Sequence, residues 1–400
     1  MKPVQLVHVT TVPMSLTFLT GQIGYVKERG YAVHAISSPG DDLHAFGERL
    51  GMPVSAVEMP RRISPLQDLR AVAKLAGALR RLRPAIVHAH TPKGGLLGMI
   101  AAWLTRVPVR VYHMRGLPLQ TATGSRRVLL AATERVSCAL AHRVICVSHS
   151  LRAVAVAEGL CPPDKIRVLL GGSGNGVDAA GRFDPASLPA GTRQQVRARL
   201  GIPDDAVVVG FIGRLVRDKG IVELAAAWER LREEHPGAHL LVVGPWEPQD
   251  PVPAELRRTL EGDPRVHLTG ADWNTPPLYA AMDVVVLPTY REGFPNVPLE
   301  AASMGLPVVA TEVPGCVDAV QHGATGTLVP VRDAAALAEA VGAYVADAGL
   351  RGAHGSAGRA RVLRDFRREA IWQALAAEYD DLLQRAGRAR PAPAVPARIR

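Results

Sequence analysis

Aromatic residues, cysteine pairs and long apolar runs are all scarce in this sequence of 400 residues. Only 4% of the residues are aromatic, while 48% are hydrophobic, and 38 glycines and 32 prolines interrupt the chain. No apolar run approaches the roughly 18 residues that a membrane-spanning helix requires. The four cysteines lack CxxC spacing, which argues against a zinc or redox motif and favours reduced, buried thiols. The composition is typical of a globular protein of two or three domains.

Acidic residues are scarce in the first half of the chain. Residues 1–185 hold 23 Lys and Arg against 11 Asp and Glu, a balance of +12, whereas the remainder holds 24 against 26, or −2. A basic half favours an anionic partner: a phosphorylated substrate, an acidic membrane surface or nucleic acid. Nucleic acid is the least favoured, because no nucleic-acid motif is present and the arginines are not interleaved with aromatics. A solvated surface without a partner is the alternative.

The start of the chain, MKPVQLVHVTTVP, is too short and too strand-like for the apolar core of a signal peptide. We therefore expect a cytoplasmic protein, with peripheral contact at the inner face of the plasma membrane as a further possibility raised by the basic half.

Short runs rich in β-branched residues alternate with helical patterns along most of the chain. This alternation predicts parallel sheets with helices on both faces. The predicted strands of the first half are 5–10, 32–37, 85–90, 109–114, 143–148 and 166–170, with helices over 66–83 and 126–141. Those of the second half are 207–213, 239–244, 266–270, 283–288 and 307–311, with helices over 220–234, near 253–262 and from about 298.

A glycine-rich stretch at 171–191 separates the two halves, which predicts two doubly wound domains joined by a hinge. We place the first domain at 1–180 and the second at 181–364. A long amphipathic helix follows at 365–386, with Ile371, Leu375, Tyr379 and Leu382 at helical spacing. The remainder, 387–400, is rich in Pro, Ala and Arg and is predicted to be disordered.

Two basic residues follow the first strand of the second half. In "FIGRLVRDKG" (211–220), Gly213 permits a tight turn, and Arg214 and Lys219 stand between a strand and a helix. In open parallel sheets, ligands bind beyond the carboxyl ends of the strands. Arginine grips a phosphate through two hydrogen bonds and lysine adds a point charge, so the pair suits a diphosphate. A solvated basic pair is the alternative.

Two acids, Glu292 and Glu300, flank "GFPNVPL" after another predicted strand. Pro298 fits the first turn of a helix and Asn296 is a reasonable cap. An acid in a first helical turn complements the helix dipole, which is the structural explanation for Glu300. The functional alternative is a carboxylate that binds ribose hydroxyls.

Paired acids also raise the possibility of a hydrolase with one acid and one base or nucleophile. Both acids here come from one loop and helix, beside a predicted phosphate-gripping Arg and Lys. Acids that bind sugar hydroxyls, next to cations that bind phosphates, indicate a nucleotide-sugar site.

The spacing Glu292-x7-Glu300, with "GRLVRDKG" about eighty residues earlier, resembles the retaining GT-B glycosyltransferases of the large family four. The similarity extends over nearly the whole chain through "HVTTVPMSLTFLTGQ", "HAHTPKGGLLG", "VYHMRGLP", "SGNGVD" and "VPGCVDAV". It is strongest to bacterial enzymes of lipopolysaccharide, capsule or exopolysaccharide synthesis. The resemblance implies a GT-B fold: two Rossmann-like domains facing a central cleft, with the C-terminal helix packing back on the first.

The resemblance also implies the roles of the residues. Arg214 and Lys219 would hold the diphosphate, Glu300 the ribose and Glu292 the transferred sugar. Backbone N–H groups of Phe294, Asn296 and Val297 would lie near sugar and phosphate, and Gly213 and Thr11 are further donor-binding candidates. The first domain would bind the acceptor and the second the nucleotide sugar. Such enzymes generally need no metal or other cofactor, which agrees with the absence of a D-x-D after a strand.

The first half departs from the family pattern at one position. Many relatives carry a histidine before the glycine of "VYHMRGLP", where this chain has Arg115, with His113 two positions earlier. Strand alternation puts both on one face, so either is a candidate for the site. His90 and Lys93 follow another strand, with His88 as a strand residue. Thr10, Thr11 and Ser15 offer hydroxyls in the first loop, where relatives carry a glycine pair.

The sequence thus predicts a retaining, metal-independent hexosyltransferase that uses a nucleotide sugar, expected to be a UDP-sugar. The expected acceptor is a glycan linked to a lipid, such as a polyprenyl diphosphate. The alternatives are a sugar-nucleotide epimerase on the same fold and a catalytically silent binding subunit.

Overall fold

The computed structural model describes residues 3–60, 62–247 and 250–391. The chain folds into two compact units, one formed by Met1–Asn175 with Glu369–Arg400 and the other by Gly176–Arg368. The chain therefore crosses between the units after residues 175 and 368. The sequence analysis placed these boundaries after residues 180 and 364. Most of the tail predicted to be disordered lies outside the described residues.

The first unit contains a seven-stranded sheet in the order β3-β2-β1-β4-β5-β6-β7, in which every pairing is parallel. Its strands are β1 Val4–Val9, β2 Tyr31–Ser37, β3 Val54–Ala56, β4 Ile86–His90, β5 Val109–Met114, β6 Arg143–Cys146 and β7 Ile166–Val168. The sequence analysis missed β3. This edge strand has only three residues, all at least partly exposed, so it lacks the continuous apolar run of a buried parallel strand.

The helices of the first unit connect successive strands. They are α1 Met14–Thr17, α2 Thr20–Glu28, α3 Asp41–Leu50, α4 Pro65–Leu82, α5 Pro92–Leu104, α6 Gly124–Leu140 and α7 His149–Ala157. Helix α5 packs closely on the sheet at two glycines of its buried face. A Cβ at Gly95 would lie 2.2 Å from the Tyr112 ring, and one at Gly98 would lie 2.8 Å from the Ala89 side chain.

The C-terminal helix belongs to the first unit, which confirms the prediction that it packs back on the first domain. The four apolar residues predicted for its packing face are buried: Ile371, Leu375, Tyr379 and Leu382. Of these, Leu375, Tyr379 and Leu382 share a core with Leu6 and Val111 of the sheet. The predicted start at residue 365 is wrong, because an earlier helix ends at Asp365 and the C-terminal helix begins at Arg368.

The second unit contains a six-stranded parallel sheet in the order β10-β9-β8-β11-β12-β13. Its strands are β8 Val207–Ile212, β9 Ala238–Val243, β10 Val266–Gly270, β11 Val284–Leu287, β12 Val308–Thr311 and β13 Gly326–Val329. Its helices are α8 Thr192–Leu200, α9 Ile221–Glu234, α10 Ala254–Gly262, α11 Thr275–Ala281, α12 Asn296–Ser303, α13 Cys316–Ala319, α14 Ala334–Ala346 and α15 Ala348–Asp365. The C-terminal helix, which belongs to the first unit, is α16 Arg368–Arg385. The two sheets establish the predicted α/β class.

One local prediction about α12 is wrong. Asn296 is the first residue of the helix and Pro295 occupies the cap position, without a side-chain capping bond. The helix starts earlier than predicted because Pro295, with φ −75° and ψ 136°, is already in the extended conformation of a cap. Pro298 lies in the first turn, as expected, and Gly305 follows the helix at φ 77°.

Candidate active site

The predicted donor residues of the second unit collect at the carboxyl edge of its sheet. Gly213 directly follows β8, and its N–H donates to the Val243 carbonyl of β9 at 2.9 Å. Arg214 follows and stays largely exposed, with Nη1 3.3 Å from Oε2 of Glu247. Its guanidinium is therefore accessible to a ligand, and its partner at this edge is a carboxylate that the sequence analysis did not identify.

Lys219 and Glu292 form an ion pair across the two adjacent strands β8 and β11. Lys219 ends a short 3-10 turn at Arg217–Lys219, and Gly220 follows at φ 74°. A Cβ at Gly220 would lie 1.9 Å from the Pro288 carbonyl oxygen, so only glycine brings the turn this close to the end of β11. The pairing confirms neither residue's role, but it places a cation and an acid in direct contact.

The turn that carries Lys219 is also bonded to the loop that carries Glu292. The Asp218 carbonyl accepts from the Tyr290 N–H at 2.9 Å and from the Thr289 hydroxyl at 3.0 Å. The Asp218 carboxylate accepts from Nε of Arg291 at 3.0 Å. These bonds fix the two segments relative to each other, so the Lys219–Glu292 geometry is set by backbone contacts as well as by charge.

Glu300 is the fifth residue of α12, beyond the first turn in which the sequence analysis placed it, and it is bonded to a buried tyrosine. The Tyr279 hydroxyl donates to Oε2 of Glu300 at 2.9 Å, and Tyr279 itself is fully buried. Burial raises the pKa of Glu300 above its usual value, while the Tyr279 bond and the charge of Arg182 act in the opposite direction. One carboxylate oxygen is thus oriented by the protein, and the group can accept further hydrogen bonds from a ligand.

The loop between Glu292 and α12 is shaped by a second segment. Gly315, at φ 85°, approaches so closely that a Cβ there would lie 2.4 Å from the Gly293 carbonyl oxygen. Phe294 is partly buried, with its ring centroid 5.5 Å from that of Phe366. Asn296 is exposed and Val297 partly exposed at the start of α12. Helix starts present N–H groups and a partial positive charge, which suits a phosphate.

In the first unit, Arg115 lies against a stack of buried histidines. Its Nε–H donates to Nδ1 of His90 at 3.3 Å. Because Nδ1 accepts, neutral His90 carries its proton on Nε2, which lies 2.9 Å from Nδ1 of His8. His8 then accepts at Nδ1 and carries its own proton on Nε2. Burial lowers the pKa of Arg115 to about 10, which leaves it cationic at neutral pH.

His113 belongs to the same stack and is buried within it. Its Nδ1 lies 3.2 Å from Nε2 of His88, and the two rings are stacked with centroids 5.2 Å apart. Nδ1 of His88 bonds the Tyr379 hydroxyl of α16 at 2.5 Å. Burial and the charge of Arg115 hold the pKa of His113 well below its usual range. Arg115, not His113, is the partly exposed member of the predicted pair.

Three histidines of this stack have the spacing of metal ligands. One nitrogen each of His8, His88 and His90 lies within 4.8 Å of the others. Arg115 disfavours a metal at this position. A metal on Nε2 of His90 would require the proton of that ring to be on Nδ1. The Nδ1–H of His90 would then face the Nε–H of Arg115, and neither group could accept a hydrogen bond. A metal on Nδ1 would displace the guanidinium. The stack is better described as hydrogen-bonded neutral rings.

The first loop and Lys93 lie at the carboxyl edge of the first sheet. Thr10 is buried and bonds Ser37, a structural role, whereas the Thr11 hydroxyl lies 2.9 Å from that of Thr91. Ser15 is partly exposed. Nζ of Lys93 bonds Asp68 at 2.7 Å and the Arg62 carbonyl at 2.5 Å. Thr11 is therefore engaged with its own unit, and Lys93 is paired.

Sequence reasoning missed Tyr279, Asp218 and Glu247 as contributors to the candidate site. Tyr279 follows two prolines in an unremarkable helix, and nothing local indicates that it reaches Glu300, 21 residues later. Asp218 was a possible signal, because it lies between the predicted cations Arg214 and Lys219. Glu247 follows β9 at the same sheet edge as Arg214. The strand pattern alone could have indicated that Glu247 lies at this edge.

Two family models match the chain in succession. "Glycosyl transferase 4-like domain" matches residues 17–172, and "Glycosyl transferases group 1" matches residues 206–347. The capsular polysaccharide biosynthesis glycosyltransferase CapM of Staphylococcus aureus is 33% identical over 96% of this chain and 99% of its own length. A UDP-Gal:alpha-D-GlcNAc-diphosphoundecaprenol alpha-1,3-galactosyltransferase of Escherichia coli is 29% identical over 68% of this chain and 69% of its own.

Solved structures with the same fold extend over nearly the whole chain. A glycosyltransferase of Rickettsia africae has a TM-score of 0.78 at 19% identity and covers 96% of this chain and 99% of its own. Anabaena HepE, solved in complex with UDP-glucose, has a TM-score of 0.77 at 22% identity and covers 94% of this chain and 99% of its own. These similarities establish the fold.

Proposed function

This chain belongs to the family-four glycosyltransferases of the GT-B fold, and we propose that it is a retaining, metal-independent enzyme that uses a UDP-sugar. Its acceptor is a lipid-linked glycan in the synthesis of a bacterial surface polysaccharide. The observation that carries the proposal is the grouping of Lys219, Glu292 and Glu300 at one sheet edge, on segments bonded to each other.

The donor diphosphate binds beside Lys219 and Arg214. In the structure, Lys219 is paired with Glu292, and the exposed Arg214 guanidinium lies 3.3 Å from Glu247. Glu300, oriented by Tyr279, accepts hydrogen bonds from the ribose hydroxyls. The name of the Escherichia coli relative specifies UDP-Gal as its donor, which favours UDP as the nucleotide here.

The rate enhancement comes from stabilising the departing diphosphate. Negative charge grows on the leaving phosphate as the sugar bond breaks, and fixed cations at Lys219 and Arg214 compensate it. N–H groups of Phe294, Asn296 and Val297 add partial positive charge at the start of α12. Lys219 transfers its contact from Glu292 to the phosphate, which leaves the Glu292 carboxylate to bind a hydroxyl of the transferred sugar.

The acceptor binds at the basic first unit. The net charge of +12 over residues 1–185 suits a phosphate-containing acceptor, and Arg115 offers a cation at the carboxyl edge of that sheet. The Escherichia coli relative is named for a diphosphoundecaprenol-linked acceptor, and the Staphylococcus aureus relative for capsule synthesis. We place the protein in the cytoplasm, in peripheral contact with the inner face of the plasma membrane. No helix in the described part of the chain is long and apolar enough to cross a bilayer.

Product analysis tests this proposal. The wild-type chain is incubated with UDP-glucose, UDP-galactose or UDP-N-acetylglucosamine, with and without undecaprenyl-diphosphate-linked N-acetylglucosamine. We expect one donor to yield UDP and an elongated α-linked lipid product without added metal. A β-linkage would reject retention. A change in the nucleotide sugar alone, without acceptor, would identify an epimerase instead.

A further inference from the structure

Two of the four cysteines form a pair that the candidate site does not use. Cys138 lies in the last turn of α6, and Cys161 lies in the turn between α7 and β7. Their thiols are in hydrogen-bonding contact with each other. Cys146 instead donates its Sγ–H to the Ser148 carbonyl, and Cys316 belongs to the second unit. Cys138 and Cys161 therefore form a close dithiol between segments that are separate in sequence.

Bonds between α6 and the turn after α7 hold the two sulfurs together. Nε and Nη2 of Arg135 donate to the carbonyls of Gly159 and Glu158 at 3.1 Å and 3.0 Å. Nζ of Lys165 donates to the Ala139 carbonyl at 2.7 Å. These contacts lie before and after the cysteines in both segments, so the approach of the thiols is set by the backbone as well as by the side chains.

The two thiols differ in their readiness to react. The hydrogen bond from Cys138 and the charge of Lys165 lower the pKa of Cys161, although burial acts in the opposite direction. The same hydrogen bond, burial and the charge of Glu134 raise the pKa of Cys138. Since the thiolate is the nucleophile, Cys161 is the sulfur that reacts first, while Cys138 keeps its proton. A cysteine of lowered pKa beside a second thiol is typical of cysteines that sense oxidants.

We propose that Cys138 and Cys161 form a reversible disulfide when the protein meets hydrogen peroxide. The Cys161 thiolate attacks one peroxide oxygen, the O–O bond breaks, and the hydroxide that leaves takes up the proton released by Cys161. The Cys138 sulfur then attacks the resulting sulfenic sulfur, the S–O bond breaks, and the hydroxyl group leaves as water with the Cys138 proton. Overall the two thiols lose two electrons, and the peroxide becomes two molecules of water.

The position of Cys161 suits a small oxidant. Only 3% of the residue is exposed, but the next three residues, 162–164, are exposed at the surface of the unit. Hydrogen peroxide is little larger than water, so a slight local opening of this turn admits it. Structural burial is the alternative role, and it predicts thiols that stay inert. The inference goes beyond glycosyl transfer, since neither cysteine belongs to the candidate site.

Thiol counting on the full chain tests the pair. The protein is treated with hydrogen peroxide near neutral pH, unfolded in denaturant and titrated with a chromogenic thiol reagent. We expect four thiols in the reduced protein and two after oxidation, with all four restored by dithiothreitol. Trypsin places the three cysteines of the first unit in separate peptides, 136–143, 144–152 and 153–165. Mass spectrometry should find 136–143 joined to 153–165.

Matched variants separate the pair from the other cysteines. Cys146→Ser should still lose two of its three thiols, whereas Cys161→Ser should keep all three. In Cys138→Ser the sulfenic acid has no partner thiol, so dimedone should label Cys161 in this variant more strongly than in the wild type. Four remaining thiols after peroxide treatment of the wild type, a bridge to Cys146 or Cys316, or a disulfide between two copies on a non-reducing gel would each overturn the proposal.

Discussion

The two units of this protein use the same parallel-sheet architecture but neutralise the charge at its carboxyl edge in different ways. In the second unit each candidate cation has a carboxylate partner, as Lys219 has Glu292 and Arg214 has Glu247. In the first unit Lys93 also has a carboxylate partner, Asp68, but Arg115 lies against neutral histidine rings. The net charge of the sequence differs in the same sense, with +12 over residues 1–185 and −2 over the remaining residues.

The difference has consequences for binding. A ligand at Lys219 has to compete with Glu292, so binding rearranges an existing ion pair and releases a carboxylate for a second contact. A ligand at Arg115 meets a cation whose charge no carboxylate balances within hydrogen-bonding distance among the described residues. Fixed, paired groups suit a site that must be oriented before reaction, and an unbalanced cation suits attraction of an anionic acceptor.

The largest expected effect concerns acid and the histidine stack. Burial holds the pKa of His8 at about 3, far below the value near 6.5 of an unfolded chain. Stability from such a group is complete above pH 6.5 and is lost as the pH falls below it, because the unfolded chain binds the proton first. His8 alone should lower the free energy of unfolding by about 2 kcal/mol between pH 6.5 and pH 5. His88, His90 and His113, whose pKa values burial also lowers, act in the same direction.

Denaturant unfolding at the two pH values measures this loss. His8→Asn should reduce the acid-dependent loss by about 2 kcal/mol, whereas His44→Asn, on the exposed side of α3, should leave it unchanged. If the His8 variant loses as much free energy in acid as the wild type, the stack does not titrate as described.

Removal of Lys219 tests the paired edge of the second unit. Lys219→Ala takes away the cation that stabilises the leaving diphosphate and leaves Glu292 without its partner, so kcat/KM should fall by about 10²–10³. Arg230→Ala is the matched control, because Arg230 forms an exposed ion pair with Glu234 on α9, outside the site. Steady-state rates of UDP release with excess acceptor measure both, and near-normal turnover of Lys219→Ala would reject its assignment.

Tyr279→Phe tests how much the orientation of Glu300 contributes to donor binding. The variant removes the 2.9 Å bond to the carboxylate and keeps the buried ring. Loss of one hydrogen bond to a charged group should raise the donor KM by about tenfold, with a smaller change in kcat. Equal KM values for variant and wild type would show that Glu300 does not need this partner.

Arg115 comes last, because its expected effect is confined to the acceptor KM. Arg115→Ala should raise the acceptor KM by about tenfold and leave the donor KM unchanged, because its charge lies in the first unit. Arg115→His, which restores the residue common in relatives, should recover part of the loss. A donor KM that rises with the acceptor KM would place Arg115 at the donor instead.

The sequence was most informative where a strand is buried on both faces. Strand β5 was predicted at its observed bounds, Val109–Met114, because it is rich in β-branched and aromatic residues, and β3 was missed because it is short and partly exposed. The placement of Arg214 and Lys219 after β8 followed from the same pattern. Local signals were less reliable at α12, where Asn296 is the first helical residue and not the cap.

Contacts between distant segments could not be predicted from the pattern. The histidine stack depends on register, since His8 pairs with His88 and His90 with His113 across three strands. The partners Tyr279 of Glu300 and Tyr379 of His88 lie 21 and 291 residues away in sequence. Periodicity places such residues on a face or an edge, but only the packed structure decides which side chains meet.

Calorimetric titration with UDP tests the central claim most directly, because it needs neither the acceptor nor the identity of the sugar. The account predicts that the wild-type chain and Arg230→Ala bind UDP with equal affinity, and that Lys219→Ala binds at least about tenfold more weakly. Equal affinity of all three proteins, or no binding of UDP by the wild type, would contradict it.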